Sequence, residues 1–301
     1  MLAIASLGII VLLGEGAVRI RAIISPIVQG FPTHTSIIWN RYYCRLNSEG
    51  FRDVEHTLDK PAGVKRLLTI GDSFAYGWGI KNIENRFGEQ LASRLARMDG
   101  ERWESLNGAR SNTHTLEHIA FLKQMLPYHP DVVVLLYYFN DISYLHNERI
   151  DLFLMQRFNI MGILFKNSYF FQEIYVNVRK LSFKYDRNKE SLFDPYKDSD
   201  MVARHIEDIK RFVATGQEAG ASVWVVPFDI TVVEDQYMRD RYRTFSDQLI
   251  AAGVPTVPLN PDYDGHSLTE LTVNRYDAHA NEMVYRIISE EVAEQLLPHL
   301  K

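Results

Sequence analysis

The chain has 301 residues, 46% of them apolar, and a formal net charge of −5. This is the composition of a folded protein with a sizeable core, and the length allows two average domains or one large α/β domain with insertions. Acidic and basic residues are mixed without a basic block, and Cys44 is the single cysteine, so we expect no nucleic-acid partner, no intrachain disulfide and no multi-cysteine metal site.

The amino-terminal segment is apolar and carries no charge from residue 2 to residue 13. Glu15, Arg19 and Arg21 then interrupt a second apolar stretch that runs to Ile27. Twelve helical residues rise about 18 Å, less than a membrane span needs. Three interpretations are open: a short or truncated membrane anchor, an uncleaved signal-like segment, or a helix packed on the protein. We predict that residues 1–27 anchor the chain to a membrane and that residues 28–301 form an extracytoplasmic domain.

Strands alternate with helices from residue 66 onward, after an irregular stretch over residues 31–60. Apolar residues at a spacing of 3.6 predict helices, and short apolar runs rich in Val and Leu predict buried parallel strands. The predicted strands cover 67–70, 103–106, 131–138, 222–226 and 254–258, and the predicted helices cover 86–98, 115–126, 201–216, 236–252 and 282–297. This order predicts an α/β fold with a parallel five-stranded sheet, whose ligands bind beyond the carboxyl ends of the strands.

Residues 142–199 break that alternation, because a few residues suffice to join a strand to the next helix. The stretch is rich in aromatic residues and carries several bases. It is predicted to be partly helical. Its open interpretations are a cap over the site, a face against a membrane or partner, and an extra helical pair packed on the body of the protein.

A possible nucleophile follows the first predicted strand, in Gly71-Asp72-Ser73. A glycine permits a sharp turn at the end of a strand, and the serine hydroxyl then emerges at the carboxyl edge of the sheet. The same tripeptide also serves as an ordinary turn before a helix. The functional interpretation therefore depends on which residues come after the other strands.

Three later segments reach the same edge. The loop of residues 107–112 comes after the second strand, Asn140 comes after the third, and Asp277-Ala278-His279 precedes the last helix. A serine nucleophile needs a base, an acid that orients the base, and donors for the oxyanion. His279 can be the base, and the Asn140 amide can be an oxyanion donor. His266, which follows Asp264 at the same spacing, is an alternative base.

These residues match, in order, the four sequence blocks of the SGNH (GDSL-type) hydrolase superfamily, and the chain resembles a membrane-anchored bacterial-type member. The resemblance covers residues 45–300 without the insertion, and the lead-in at residues 47–53 is similar to that of anchored members. It implies a flavodoxin-like three-layer α/β/α fold without cofactor or metal. It also implies that Ser73 is the nucleophile, His279 the base and Asp277 its partner. The implied oxyanion donors are the N–H groups of Ser73 and Asn112 and the side chain of Asn140.

The chain departs from the family pattern at three places. Asn112 and Tyr138 stand where glycines are usual. Asparagine tolerates a left-handed backbone, so the Asn112 N–H can still point into the site, whereas Tyr138 is expected to narrow it. One residue instead of two separates Asp277 from His279, which resembles the branch that contains exopolysaccharide O-acetyltransferases.

We therefore expect a serine-dependent esterase that acts on O-acetyl or short acyl esters of carbohydrates or lipids. The alternatives are an O-acyltransferase that modifies a cell-surface polysaccharide and a non-catalytic, membrane-tethered carbohydrate-binding protein. Structural roles are expected for the remaining polar residues near the motifs: Arg52, Asp72, Arg110, His114, His118, His129, Asp141 and His146.

Overall fold

The computed structural model describes residues 2–30, 32–145, 160–183, 191–234 and 236–300. Its helices are α1 Leu2–Ile24, α2 His34–Tyr43, α3 Ser73–Tyr76, α4 Phe87–Asp99, α5 Thr115–Met125, α6 Ile160–Asn167, α7 Tyr169–Phe183, α8 Ser199–Glu218, α9 Gln236–Ala251, α10 Leu268–Leu271 and α11 Glu282–Leu296. Its strands are β1 Val64–Gly71, β2 Arg102–Asn107, β3 Val132–Tyr138, β4 Ser222–Phe228, β5 Thr272–Asn274 and β6 Asp277–Ala280. The predicted alternation after residue 66 is therefore present.

Helix α2 contradicts the irregular structure predicted for residues 31–60. The Thr33 side chain caps this helix by accepting a hydrogen bond from the Ser36 N–H, and Trp39 is buried. Pro32 therefore directly precedes a helix that starts at the N-cap threonine, Thr33.

The chain forms two compact units. One contains residues 1–44, 148–188 and 274–278, and the other contains residues 45–147, 189–273 and 279–301. In the first unit, Glu15 of α1 accepts hydrogen bonds from the N–H groups of Tyr169 and Phe170, which begin α7. Although burial acts to raise it, these donors lower the pKa of Glu15 to about 2. Glu15, one of the charged residues that interrupt the apolar run, thus connects α1 to α7 of the insertion through hydrogen bonds.

The membrane prediction is not decided by these helices. No helix in the described ranges is long and apolar enough to cross a membrane. Within the insertion, α6 and α7 lie in residues 160–183, as the prediction of partly helical structure expected. Three of the aromatic residues of the insertion, Phe153, Phe158 and Tyr185, lie outside the described residues.

The central sheet of the second unit is parallel and has the order β2-β1-β3-β4. It has four strands, and the prediction of a fifth at residues 254–258 is wrong. That segment makes a single isolated bridge, in which Val225 donates to Pro255 O and Val257 donates to Val225 O. Prolines at 255 and 258 have no N–H to donate, so the ladder cannot extend.

The sheet core follows from the apolar runs. Strand β3 is buried from Val132 to Tyr137, as expected for a strand covered on both faces. Helix α4 packs against α11, and α5 packs against α8. Strand β2 lies on one side of β1 in the sheet, and β3 lies on the other side. Because both crossover connections are right-handed, α4, which leads to β2, and α5, which leads to β3, lie on opposite faces of the sheet. The result is a three-layer α/β/α unit with its direction change between β1 and β3.

A buried arginine holds the loop that follows α3. Arg52 is fully buried, and its guanidinium donates to the carbonyl oxygens of Gly77 at 2.6 Å and Ile80 at 2.5 Å. Arg86, also buried, donates to Arg52 O and to Asp53 Oδ1. Arg52 therefore has a structural role, as expected, and fixes the backbone just beyond the Gly71-Asp72-Ser73 turn.

Replacing Arg52 with methionine is expected to destabilise the protein by about 3 kcal/mol or more, because buried carbonyl groups lose charged hydrogen-bond donors. The urea midpoint of unfolding measures the effect. Arg102→Met, which removes an exposed guanidinium at the start of β2, is the matched control and should cost no more than about 0.5 kcal/mol. Equal midpoints for the two variants would contradict this role of Arg52.

Candidate active site

Ser73 lies at the junction of β1 and α3. A Cβ atom on Gly71 would lie 2.6 Å from Leu136 O and 2.8 Å from Ala75 Cβ, so the strand can turn here only at a glycine. Asp72 then caps α3, because its Oδ1 accepts from the Phe74 N–H at 2.9 Å. The cap leaves half-buried Ser73 as the first residue of the helix, at the carboxyl edge of the sheet.

His279 lies beside this serine. Its Nε2 is 2.8 Å from Ser73 Oγ, within hydrogen-bond distance. Its ring contacts that of Phe74, with centroids 4.8 Å apart. By contrast, Nδ1 of the alternative base, His266, lies 4.0 Å from a Glu270 carboxylate oxygen.

The position of His279 is fixed from the carboxyl side by Asn281. The Asn281 side chain caps α11 by accepting from the N–H groups of Met283 and Val284, and its Nδ2 donates to Glu270 O at 2.7 Å. Asp277 is 4% exposed and begins β6, two residues before His279. Alternate residues of a strand share one face, so the single-residue spacing suits a carboxylate on the same face as the ring. The role of Asp277 stays a prediction.

The loop with Asn112 is attached to the nucleophile turn. The Arg110 N–H donates to Gly71 O at 3.3 Å, and the Asn107 side chain donates to Ala75 O at 2.8 Å. Asn112 has φ of 60°, the left-handed conformation in which asparagine can replace glycine. The Asn107 side chain was not among the predicted site residues. Its position at the end of β2, at the carboxyl edge of the sheet, is the sequence signal that could have identified it.

Asn140 follows β3, the strand paired with β1 through Leu136 and Gly71. It is half-buried, and within the described residues its Oδ1 is buried without a hydrogen-bond partner. Ser73 and Asn140 thus leave the sheet on the two sides of its direction change, where ligands bind in such sheets. The oxyanion roles of the Ser73 N–H, Asn112 and Asn140 stay predictions.

Tyr138 contributes to an aromatic wall beside the base. Its ring centroid lies 4.3 Å from that of Phe74, which lies 5.2 Å from that of Phe228. Phe74 thus contacts both Tyr138 and the His279 ring. The sequence predicted a narrowed site from Tyr138 but not the part of Phe74.

Two carboxyl groups are buried behind the site. Burial raises the pKa of Asp72 to about 6, although the charge of His279 acts in the opposite direction. Burial, together with the charge of Asp72, raises the pKa of Asp141 well above its usual range. Fully buried His118 lies next to Asp141, with Nδ1 3.7 Å from Oδ2.

The other polar candidates have structural surroundings. Arg110 lies between the rings of Phe51 and Phe121, 4.7 and 4.8 Å from their centroids, and donates to Glu49 O. Arg110 therefore contacts the lead-in segment that precedes β1. His146 lies outside the described residues.

Comparison with solved structures finds similar chains. A lipase from a goat rumen metagenome is 12% identical, with a TM-score of 0.50 over 79% of this chain and 100% of its own. A lipase/acylhydrolase from Enterococcus faecalis is 16% identical, with a TM-score of 0.48 over 79% and 97%. A lipolytic protein of the G-D-S-L family from Veillonella parvula is 9% identical, with a TM-score of 0.45 over 76% and 98%.

No protein-family model and no curated protein sequence matches the chain. At these identities the structural likeness concerns the fold. The chain shares the α/β/α fold of the lipase from the goat rumen metagenome.

Ser73 is expected to react with an organophosphonate, because a hydroxyl hydrogen-bonded to a histidine is an activated nucleophile. Intact-protein and peptide mass spectrometry measure the adduct and its position. His279→Gln should slow labelling about 10²–10⁴-fold, the usual effect of a general base. His266→Gln is the matched control, and labelling that persists unchanged in Ser73→Ala would contradict the assignment.

Proposed function

We propose that this chain is a serine-dependent esterase that removes O-acetyl or other short acyl groups through an acyl-enzyme on Ser73. The observation that carries the proposal is the 2.8 Å hydrogen bond between Ser73 Oγ and His279 Nε2 at the carboxyl edge of the sheet. A serine and a histidine that meet there from positions 206 residues apart in the chain form a nucleophile and its base.

The reaction follows from this geometry. His279 Nε2 takes the proton of Ser73 Oγ as the oxygen attacks the ester carbonyl carbon, and the carbonyl oxygen becomes an oxyanion. His279 then gives the proton to the leaving alkoxide as the tetrahedral intermediate collapses. A water molecule repeats the sequence on the acyl-enzyme, so that the acyl group leaves as a carboxylic acid and Ser73 recovers its proton.

The remaining roles are part of the proposal. Asp277 would hold the His279 ring in the tautomer that leaves Nε2 free to accept a proton, and would stabilise the imidazolium. The N–H groups of Ser73 and Asn112 and the Asn140 amide would donate to the oxyanion. In this role Asn140 would donate through its Nδ2, from the turn that follows β3 next to the Ser73 strand.

The aromatic rings beside His279 favour a substrate with a short acyl group. Phe74 and Tyr138 pack 4.3 Å apart beside His279, which leaves little room for a long chain on that side. The Asp277-Ala278-His279 spacing supports a second outcome for the same acyl-enzyme, in which a sugar hydroxyl replaces water as the acceptor and the protein is an O-acyltransferase.

Turnover of p-nitrophenyl acetate by the full chain tests this function. Ser73→Ala should remove nearly all turnover, and Asn140→Ala should lower kcat about 10²–10³-fold because an oxyanion donor is lost. Asn82→Ala changes an exposed asparagine and is the control. Acetyl transfer to an added oligosaccharide would assign a transferase, and a folded wild-type protein without Ser73-dependent turnover would contradict the esterase.

We also propose that the first half of α1 inserts into the lipid interface and places the domain outside the cytoplasm. Four neighbouring side chains, Ile9, Ile10, Leu12 and Leu13, are 58–73% exposed. Consecutive positions point around the helix, and a helix that is apolar on all sides favours an apolar environment. The absence of charge from residue 2 to residue 13 fits the same partner.

Flotation with phospholipid vesicles measures this association. Replacing Ile9, Ile10, Leu12 and Leu13 with serine should move the protein from the lipid fraction to the aqueous fraction, because the apolar area that favours lipid is removed. Replacing the exposed Ile250, Leu58, Val54 and Met98 of the second unit with serine is the matched control. Equal flotation of both variants would contradict insertion through α1.

A further inference from the structure

His118 and Asp141 form a buried contact that the proposed reaction does not use. His118 lies on α5 and Asp141 directly follows Asn140, and both side chains are 0% exposed. Nδ1 of His118 lies 3.7 Å from Oδ2 of Asp141. Within the described residues, His118 Nδ1 and Asp141 Oδ1 have no hydrogen-bond partner. A separation of 3.7 Å leaves no room for a bridging water between the two atoms, so they face each other directly.

The neighbouring hydroxyl decides which ring nitrogen of His118 carries hydrogen. Thr113 Oγ1 donates its one hydrogen to Arg110 O at 2.7 Å. Toward His118 Nε2, at 3.2 Å, the same oxygen can therefore only accept. Nε2 of His118 is thus protonated, and in a neutral ring Nδ1 presents a lone pair to Asp141.

Two acceptors cannot face each other in a buried site, so one proton must lie between His118 and Asp141. Burial, with the nearby His114 and His205, lowers the pKa of His118 to about 3. Burial, with Asp72 facing it from the nucleophile turn, raises the pKa of Asp141 well above its usual range. Both effects place the proton on the carboxyl group, whose Oδ2 faces Nδ1 at 3.7 Å and accepts from the Tyr138 N–H at 3.3 Å.

We propose that His118 and Asp141 share this one buried proton and act as a positioning pair, which fixes the Asn112 loop against the Asn140 turn. On one side, His118 holds Thr113, the residue after Asn112; on the other, it meets the residue after Asn140. This positioning role rests on the proposed function, in which the Asn112 N–H and the Asn140 amide donate to the oxyanion. His118 and Asp141 touch no substrate, and they act through the two asparagines.

Neutral Asp141 has a second consequence at the nucleophile. Asp72 lies next to Ser73, with Oδ2 3.5 Å from Ser73 Oγ, and its charge interacts with His279. Two buried carboxylates this close do not both ionise readily. A protonated Asp141 therefore leaves Asp72 as the ionised carboxyl group beside Ser73.

The pair itself is tested by nitrogen-15 NMR of the full chain labelled on its histidine rings, with His118 assigned from the spectrum of His118→Gln. We expect one protonated nitrogen, Nε2, and one unprotonated nitrogen, Nδ1, at pH 7. This measurement requires no turnover, so it decides the pair even if the esterase proposal fails. A doubly protonated ring, or hydrogen on Nδ1, would overturn the shared proton.

The positioning role is tested by kinetics on variants whose active sites are titrated with the phosphonate. Asp141→Ala and His118→Ala should each lower kcat about 10²-fold with little change in KM, because oxyanion donors displaced by about 1 Å stabilise the transition state poorly. Asp141→Asn should fall between wild type and Asp141→Ala, because Oδ2 faces both Nδ1 and the Tyr138 N–H, and an amide atom at that position can replace only one of these two roles.

The double variant His118→Ala/Asp141→Ala separates positioning from general destabilisation. If the two residues act as one unit, it should be no slower than either single variant. Single variants that keep wild-type kcat per titrated site, or a double variant clearly slower than both single variants, would overturn the proposal.

Discussion

The nucleophile edge of the sheet depends on the buried guanidinium of Arg52. A buried cation is costly unless its donors are satisfied, and here backbone carbonyl groups of the loop beyond Ser73 accept from it. The residue next to it extends the same arrangement, because Asp53 Oδ2 accepts from the Asn107 N–H at 2.7 Å at the end of β2. The lead-in segment thus joins the nucleophile turn to the loop that carries Asn112.

The direction change of the sheet explains why the proposed site residues come from distant parts of the chain. Strands β1 and β3 are neighbours, and the connections that leave their carboxyl ends run to opposite faces. A gap opens between the two connections, with Ser73 on one side and Asn140 on the other. The turn after β1 requires a glycine at position 71, because a Cβ atom there would collide with Leu136 O.

Electrostatics behind the site follow from burial rather than from exposed charges. Asp72, Asp141 and His118 all lie in the interior, where an unpaired charge is expensive and protons move to reduce the number of charges. With His118 and Asp141 neutral, as proposed, Asp72 is the ionised member of this buried group and lies next to Ser73.

The sequence alone determined the alternation of strands and helices, because a parallel strand buried on both faces is a continuous apolar run, as β3 shows. It also marked Ser73 and His279, since a glycine-ended strand and a histidine just before a terminal helix have recognisable local patterns. It did not determine helix α2, where a proline that suggested irregular structure precedes a capped helix. Nor did it determine the sheet edge, where prolines 255 and 258 limit pairing to one bridge.

Only the tertiary structure decided the partners of buried polar groups. His118 is four residues from His114 in the sequence, and nothing local distinguishes them, yet His118 faces Asp141 in the interior whereas His114 is about one-third exposed. The 2.8 Å distance between Ser73 and His279 likewise depends on how β1 and β6 are placed across 206 residues. Local sequence specifies which residue can turn, cap or pack, but hydrogen-bond partners and shared protons depend on groups that only the folded chain brings together.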